Sequence, residues 1–285
     1  PCPQPLSSRL PARPANPIGF KKLKDKIRRR AREQIAPDAA IEAVELSLRR
    51  PAEEAFKAER ASFLALKSGP QSASLRHVFF AERTAGKIAR AKGAKPLPLR
   101  HIGIVGGGTM GAGIATACLQ AGLSVTMVER DENAFCDGLK RVDAAINKAC
   151  SIGKMSKTEA DVAKEAFRGG TDYSNLGDCD LVIEAVFEDM GVKKDVFAKL
   201  DAATRSNTVL ATNTSYLDVD EIAKAVNDPT RVIGLHFFSP AHVMKLLEVI
   251  VTAKASADAL ATGISLGHRL KKTIAAAGVC DGFIG

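Results

Sequence analysis

The sequence predicts an α/β fold, a doubly wound and mostly parallel sheet preceded by an α-helical segment, and three observations carry that prediction. From residue 101 onward, short runs rich in β-branched residues alternate with helix-length stretches. The first of these runs leads straight into a glycine cluster that opens a helix. The first hundred residues have a different chemistry, with 22 Lys/Arg and 9 Asp/Glu against 19 and 23 in residues 101–285. The formal charge of +9 over 285 residues is therefore a +13 leader joined to a −4 remainder.

The composition bounds the rest. An apolar fraction of 46% with 26% charged residues is that of a globular chain with material for a core. No apolar run approaches the roughly 18 residues of a membrane helix, so no integral membrane segment is expected. Cysteines at 2, 118, 136, 150, 179 and 280 are scattered, without C-x-x-C spacing, and read as free or buried thiols.

Residues 1–19 carry six prolines and no periodicity, and read as a disordered lead-in. The run from Phe20 to Gln34 is strongly basic. A solvated helix, a nucleic-acid patch and an interdomain contact all compete there. Without interleaved aromatics or a known module, the solvated helix is preferred and no nucleic-acid partner is expected. Ile41, Val44, Glu45 and Leu48 mark a helix that stops or kinks at Pro51. Ala52 to Leu66 is a second helix, and Leu75 to Arg90 a third that carries Val78, Phe79, Phe80 and Ile88. The two prolines of residues 94–100 suit a linker, which leaves 20–93 as a helical segment and 101–285 as a second domain.

His101 to Val105 has the character of a buried parallel strand. It feeds Gly106-Gly107-Gly108-Thr109-Met110-Gly111, which satisfies G-x-G-x-x-G. In a Rossmann-type fold Gly106 makes the tight turn, Gly108 admits a pyrophosphate and Gly111 lets the helix approach the strand. Gly122 is placed to end that helix in the left-handed conformation. A second strand, Val125 to Val128, ends in Glu129, where a partner for a ribose 2′-hydroxyl is expected. That carboxylate favours NAD over NADP, although Arg130 beside it could accept a 2′-phosphate.

Leu181 to Ala185, Val209 to Thr212 and Val232 to Leu235 continue the strand rhythm, with a helix over Val192 to Ala203. Ligands bind at the carboxyl ends of such strands, which singles out Glu188, Asn213-Thr214-Ser215 and His236 to Pro240. His236 is the strongest acid–base candidate. Glu248, twelve residues later, lies inside the apolar run Leu246 to Val251. A carboxylate there needs a partner, and a His–Glu pair would satisfy it while orienting the imidazole.

GGGTMGAGIA, the strand-end Glu129, EAVFEDMGVKK, ATNTSYL and HFFSPAHVMKLLEVI together resemble the L-3-hydroxyacyl-CoA dehydrogenase family. Its long form is fused to an enoyl-CoA hydratase in multifunctional enzymes of fatty-acid β-oxidation. The resemblance spans nearly all of 101–285. Residues 37–100 are similar, more loosely, to the tail of the hydratase domain and its linking helix.

The resemblance implies NAD-dependent oxidation of L-3-hydroxyacyl-CoA to 3-ketoacyl-CoA. His236 would take the 3-hydroxyl proton, Glu248 would hold it, and Ser215 would bind the substrate oxygen. Met110, Glu129, Glu188 and Lys193 match NAD-contacting positions, with Ala185, Val186 and Phe187 beside the cofactor. Ser239 stands where relatives often have Asn. The family motif would continue past Gly285 with a substrate-contacting Asn and a helical domain that closes over acyl-CoA and usually supplies the dimer contact. The hydratase's oxyanion hole and paired glutamates are missing, so no hydratase activity is expected of this chain. The resemblance further implies a fatty acyl-CoA substrate, a thiolase partner in the parent complex, and a bacterial cytoplasmic or, alternatively, peroxisomal location. A 3-hydroxybutyryl-CoA enzyme and a non-catalytic dinucleotide-binding module with an anion-binding leader are the rival readings.

Overall fold

The computed structural model describes residues 17–284. Most of the expected lead-in, together with Cys2 and Gly285, lies outside them, but residues 17–19 are helical rather than irregular. The chain divides into two units, the first ending at Ala81 and the second beginning at Glu82.

In the first unit, α1 (Pro17–Ala31) opens on proline, which suits a first helical position because no N–H is needed there. Its last turn holds Arg28, Arg29 and Arg30, favourable against the helix C-terminal dipole. Arg28 Nε donates to Asp38 Oδ1 at 2.7 Å and Lys24 pairs with Glu45, while Lys21, Lys22 and Lys26 face solvent. Left-handed Arg32 and Glu33 turn the chain into α2 (Ile35–Ser47), and α3 (Ala52–Ser68) follows Pro51.

The next helix, α4, is Pro70–Ala85. It starts five residues before the expected Leu75, because proline after extended Gly69 initiates a helix as readily as it punctuates. It also ends before Gly86, which passes the strand residue Ile274 so closely that an added Cβ would stand 3.3 Å from Ile274 Cβ. Ile88, expected on this helix, is instead buried in the core of the second unit.

Residues 94–100 do not behave as a free linker. Leu99 is 7% exposed, Leu97 N–H donates to Thr262 Oγ1 at 2.9 Å, and Arg269 reaches Leu99 O at 2.7 Å. The segment is pinned to the second unit because its leucines are apolar and find core there.

The second unit is an eight-stranded sheet in the order β3-β2-β1-β4-β5-β6-β7-β8. Its first half comprises β1 (His101–Val105), α5 (Thr109–Gln120), β2 (Ser124–Val128), α6 (Glu132–Ser151), α7 (Lys157–Glu165), β3 (Phe167–Gly170) and β4 (Leu181–Glu184). The second half comprises α8 (Met190–Ala203), β5 (Val209–Thr212), α9 (Val219–Ala223), β6 (Val232–Phe237), β7 (Leu246–Val251), α10 (Ala257–Arg269) and β8 (Thr273–Gly278). All neighbours pair in parallel except β6 and β7.

Period-two alternation sends side chains to two cores. Ile102, Ile104, Leu181 and Ile183 pack with α5, α6, α7 and α10, whereas Val105, Val182 and Leu210 pack with α8 and α9. Each fully buried aliphatic side chain contributes roughly 1.5–3 kcal/mol. Helix starts carry their expected caps: Asp131 accepts from Ala134 N–H, Ser156 and Glu159 form a capping box, and Asp189 accepts from Val192 N–H. The described cysteines are free, and burial pushes the thiols of Cys118 and Cys179 up to about 12, which keeps them protonated. Among the described residues no helix is long and apolar enough to cross a membrane.

Candidate active site

The crevice forms where β1, β2, β4, β5 and β6 end. Gly106 has φ +98°, and a Cβ there would lie 2.6 Å from Ala185 O. Glycine is therefore required by both conformation and space. A Cβ on Gly111 would lie 1.8 Å from Gly106 O, so α5 approaches the turn as closely as main chain allows. Gly108 is the opposite case: it is exposed and a Cβ on it would meet nothing within 4 Å, so it looks into open space at the N-terminus of α5. This cradle fits a pyrophosphate, with α5 amides and dipole as anion donors.

Glu129 closes the far side of the turn. Its Oε1 accepts Gly107 N–H at 2.6 Å and its Oε2 accepts Arg130 N–H at 2.9 Å, so the carboxylate is held by main chain with lone pairs left for hydroxyl donors. The Arg130 side chain turns to Asp131 at 3.1 Å and is 85% exposed. Met110 is half-buried against the adjoining core.

A charged cluster lies under the β4 and β5 ends. Glu184 is fully buried and accepts from Val186 N–H at 2.8 Å, Lys193 Nζ at 2.7 Å and Thr212 Oγ1 at 2.7 Å. Lys193, 1% exposed, also reaches Glu188 Oε2 at 3.1 Å. Sequence reasoning took Glu184 for an ordinary strand residue. The signal that could have found it is an ionisable side chain in an otherwise apolar buried strand, the same signal that marked Glu248. Lys193 occupies the first turn of α8, but its ammonium is directed inward between two carboxylates.

Glu188 in turn accepts from Thr214 Oγ1 at 2.6 Å, Ser215 N–H at 2.7 Å and Ser215 Oγ at 3.1 Å. Burial works against its charge, but the Thr214 and Ser215 hydrogen bonds and Lys193 prevail and hold the carboxyl below the usual glutamate range. The structure thus joins Lys193, Glu188 and Ser215 in one network. Phe187 is 79% exposed on the same loop, next to half-buried Ala185 and Val186. Asn213 Oδ1 accepts Phe237 N–H at 2.9 Å, tying the ends of β5 and β6 together.

His236 and Glu248 are directly opposite partners across the antiparallel β6–β7 pair. His236 Nδ1 lies 2.6 Å from Glu248 Oε2, with side chains 13% and 0% exposed. A carboxylate at Nδ1 assigns the proton to that nitrogen and leaves the Nε2 lone pair free. The imidazole is flanked by Phe238 at 4.6 Å and Phe283 at 5.9 Å between ring centroids. Ser239 is exposed just beyond β6. Among the described residues no cluster of metal-ligating side chains occurs.

Residues 101–279 match the family described as 3-hydroxyacyl-CoA dehydrogenase, NAD binding domain. The chain is 40% identical over 266 residues to a peroxisomal bifunctional enzyme of Cavia porcellus, covering 92% of this chain and 36% of that protein. It is 37% identical over 293 residues to a peroxisomal bifunctional enzyme of Danio rerio, covering 99% of this chain and 40% of that protein. The chain therefore spans well under half the length of these relatives.

Among solved structures, FadB2 of M. tuberculosis superimposes with a TM-score of 0.64 at 36% identity, covering 66% of this chain and 67% of that one. The dehydrogenase part of multifunctional enzyme 1 from C. elegans gives 0.63 at 30%, covering 71% and 48%. With its glycine cradle and strand-end carboxylate, the chain belongs to the family of 3-hydroxyacyl-CoA dehydrogenase NAD-binding domains.

Proposed function

We propose that this chain forms the NAD-binding and proton-transferring part of an enzyme that oxidises L-3-hydroxyacyl-CoA to 3-ketoacyl-CoA in fatty-acid β-oxidation. The observation that carries the reading is the 2.6 Å His236–Glu248 pair, set across β6–β7 at the same end of the sheet as the glycine cradle. When bound, NAD supplies the two-electron acceptor for C3. Gly106, Gly108, Met110, Gly111 and Glu129 hold its adenosine and pyrophosphate portions. Ala185, Val186, Phe187, Glu188, Lys193 and Ser239 serve the nicotinamide portion, Lys193 by holding Glu188.

His236 Nε2 takes the 3-hydroxyl proton, the O–H electron pair becomes the second bond of the carbonyl, and the C3–H bond breaks with its electron pair leaving as hydride to the acceptor that bound NAD would supply. Glu248 keeps the imidazole in the accepting tautomer and offsets the positive charge it gains. Ser215 supplies a hydrogen bond to the substrate oxygen. The family resemblance implies a fatty acyl-CoA substrate and, in the parent complex, a thiolase partner that would consume the 3-keto product. A peroxisomal location is favoured over a bacterial cytoplasm by the names of the relatives at 37–40% identity.

The test is reduction of acetoacetyl-CoA by NADH in the protein that carries this chain. His236→Ala is expected to lower turnover by roughly 10²–10⁴-fold while leaving the NADH Kd within about twofold. Unchanged turnover would exclude His236 as the base.

A further inference from the structure

We propose that the turn following β8 belongs to the acid–base apparatus, with the main-chain amide of Ile284 positioning Glu248. The inference rests on the reading of His236 and Glu248 as the proton-transferring pair. Glu248 is fully buried on β7, and a buried carboxylate needs donors at both oxygens. Oε2 takes His236 Nδ1 at 2.6 Å and Oε1 accepts Ile284 N–H at 3.1 Å. With one oxygen assigned to each partner, rotation of the carboxylate about its Cγ–Cδ bond would break both contacts together. The amide therefore holds Glu248 in the orientation that fixes the Nδ1–H tautomer and leaves Nε2 free.

The route by which the chain reaches this position supports the assignment. Gly282 and Phe283 have φ of +70° and +54°, two consecutive left-handed residues. Glycine adopts that conformation freely, but a phenylalanine there is strained and persists only where its surroundings hold it. Phe283 N–H donates to Cys280 O at 3.3 Å, and the Cys280 thiol donates to Phe283 O at 3.5 Å, closing the turn. The strained residue lays its ring against His236, while the next amide points at Glu248. Packing of the Ile284 side chain does not explain the geometry, because Ile284 is 63% exposed. The functional group is the N–H.

The experiment removes only that N–H. An α-hydroxy analogue of isoleucine incorporated at position 284 replaces the amide by an ester, Ile284→Pro removes the donor by ordinary mutagenesis, and the conservative Ile284→Val keeps it. Four quantities are read: the His236 Nδ1 proton resonance by ¹⁵N-edited NMR, kcat and KM for acetoacetyl-CoA reduction, and the NADH Kd. The ester and proline variants are expected to move the proton resonance and lower kcat about tenfold, with KM and NADH Kd within about twofold. Ile284→Val is expected to keep the resonance and kcat at their unmutated values. An unmoved resonance with unchanged kcat in the ester, or an equal loss in Ile284→Val, would overturn the proposal. Failure of the underlying reading looks different: His236→Ala would then remain active, whatever the ester does.

Discussion

The two walls of the crevice work by different chemistry. On the wall of β1, α5 and β2, the groups are main chain and empty space: Gly106 and Gly111, where a Cβ would strike backbone, Gly108, which faces open space, and a carboxylate bonded to two amides. On the wall of β4 to β7, they are side-chain charges under cover: Glu184, Lys193, Glu188, and the His236–Glu248 pair. The first wall is shaped by backbone conformation and close approach at its glycines. The second holds its charges under cover, where each ionised group must meet partners, among them Thr212 and Thr214 from 28 and 26 residues away.

That contrast can be broken most severely at Lys193. Lys193→Met leaves the buried Glu184 carboxylate without its cation. We expect a loss of about 3–5 kcal/mol in urea unfolding, the penalty of stripping one partner from a buried ion pair. A change within experimental error would mean that the Lys193 ammonium does not stabilise this cluster.

The shape-based wall should fail differently at its two glycines. Gly111→Ala forces a Cβ into Gly106 O and is expected to cost about 1–3 kcal/mol or more of stability, read as a lowered Tm. Gly108→Ala meets no protein atom and should leave Tm in place while weakening NADH by about tenfold or more, because the added methyl occupies the pyrophosphate space. Unimpaired NADH binding in Gly108→Ala would place the pyrophosphate elsewhere.

The smallest effect is expected at Glu129, where the partner is a hydroxyl rather than a charge. Glu129→Ala should raise the NADH Kd about tenfold, the worth of hydrogen bonds to one carboxylate, with kcat nearly unchanged at saturation. Isothermal titration with NADH and NADPH checks both size and selectivity. Equal affinity of the unmutated protein for the two would remove Glu129 as the discriminating group.

Legibility in the sequence followed the same division. The glycine turn, its strand and helix, and Glu129 lie within 29 consecutive residues and are readable because each obeys a local steric or capping rule. Glu248 could be flagged because a carboxylate in an apolar run demands a partner, and His236 could be named as that partner. Their antiparallel register could not be read, since the strands around them are otherwise parallel. Three of the eight strands are not legible as strands: Leu246–Val251 reads only as an apolar run, while Phe167–Gly170, half glycine, and Thr273–Gly278, mostly alanine and glycine, lack the β-branched signature. The residues 94–100 were misjudged as a linker because proline content says nothing about what the intervening leucines touch.

By itself the sequence determined the α/β class and the glycine turn with its strand-end carboxylate, and it singled out His236 and Glu248 as a pair, because turn sterics and the cost of a lone buried charge act over short stretches of chain. Only the tertiary structure decided that Lys193 turns inward to Glu184 and Glu188, that residues 82–100 join the second unit, and that Ile284 supplies Glu248 with its second donor. Those contacts join residues that are distant in the chain or whose side-chain direction is undetermined until the sheet has closed around them. Their physical basis is the satisfaction of buried polar groups, a property of the assembled fold rather than of any segment.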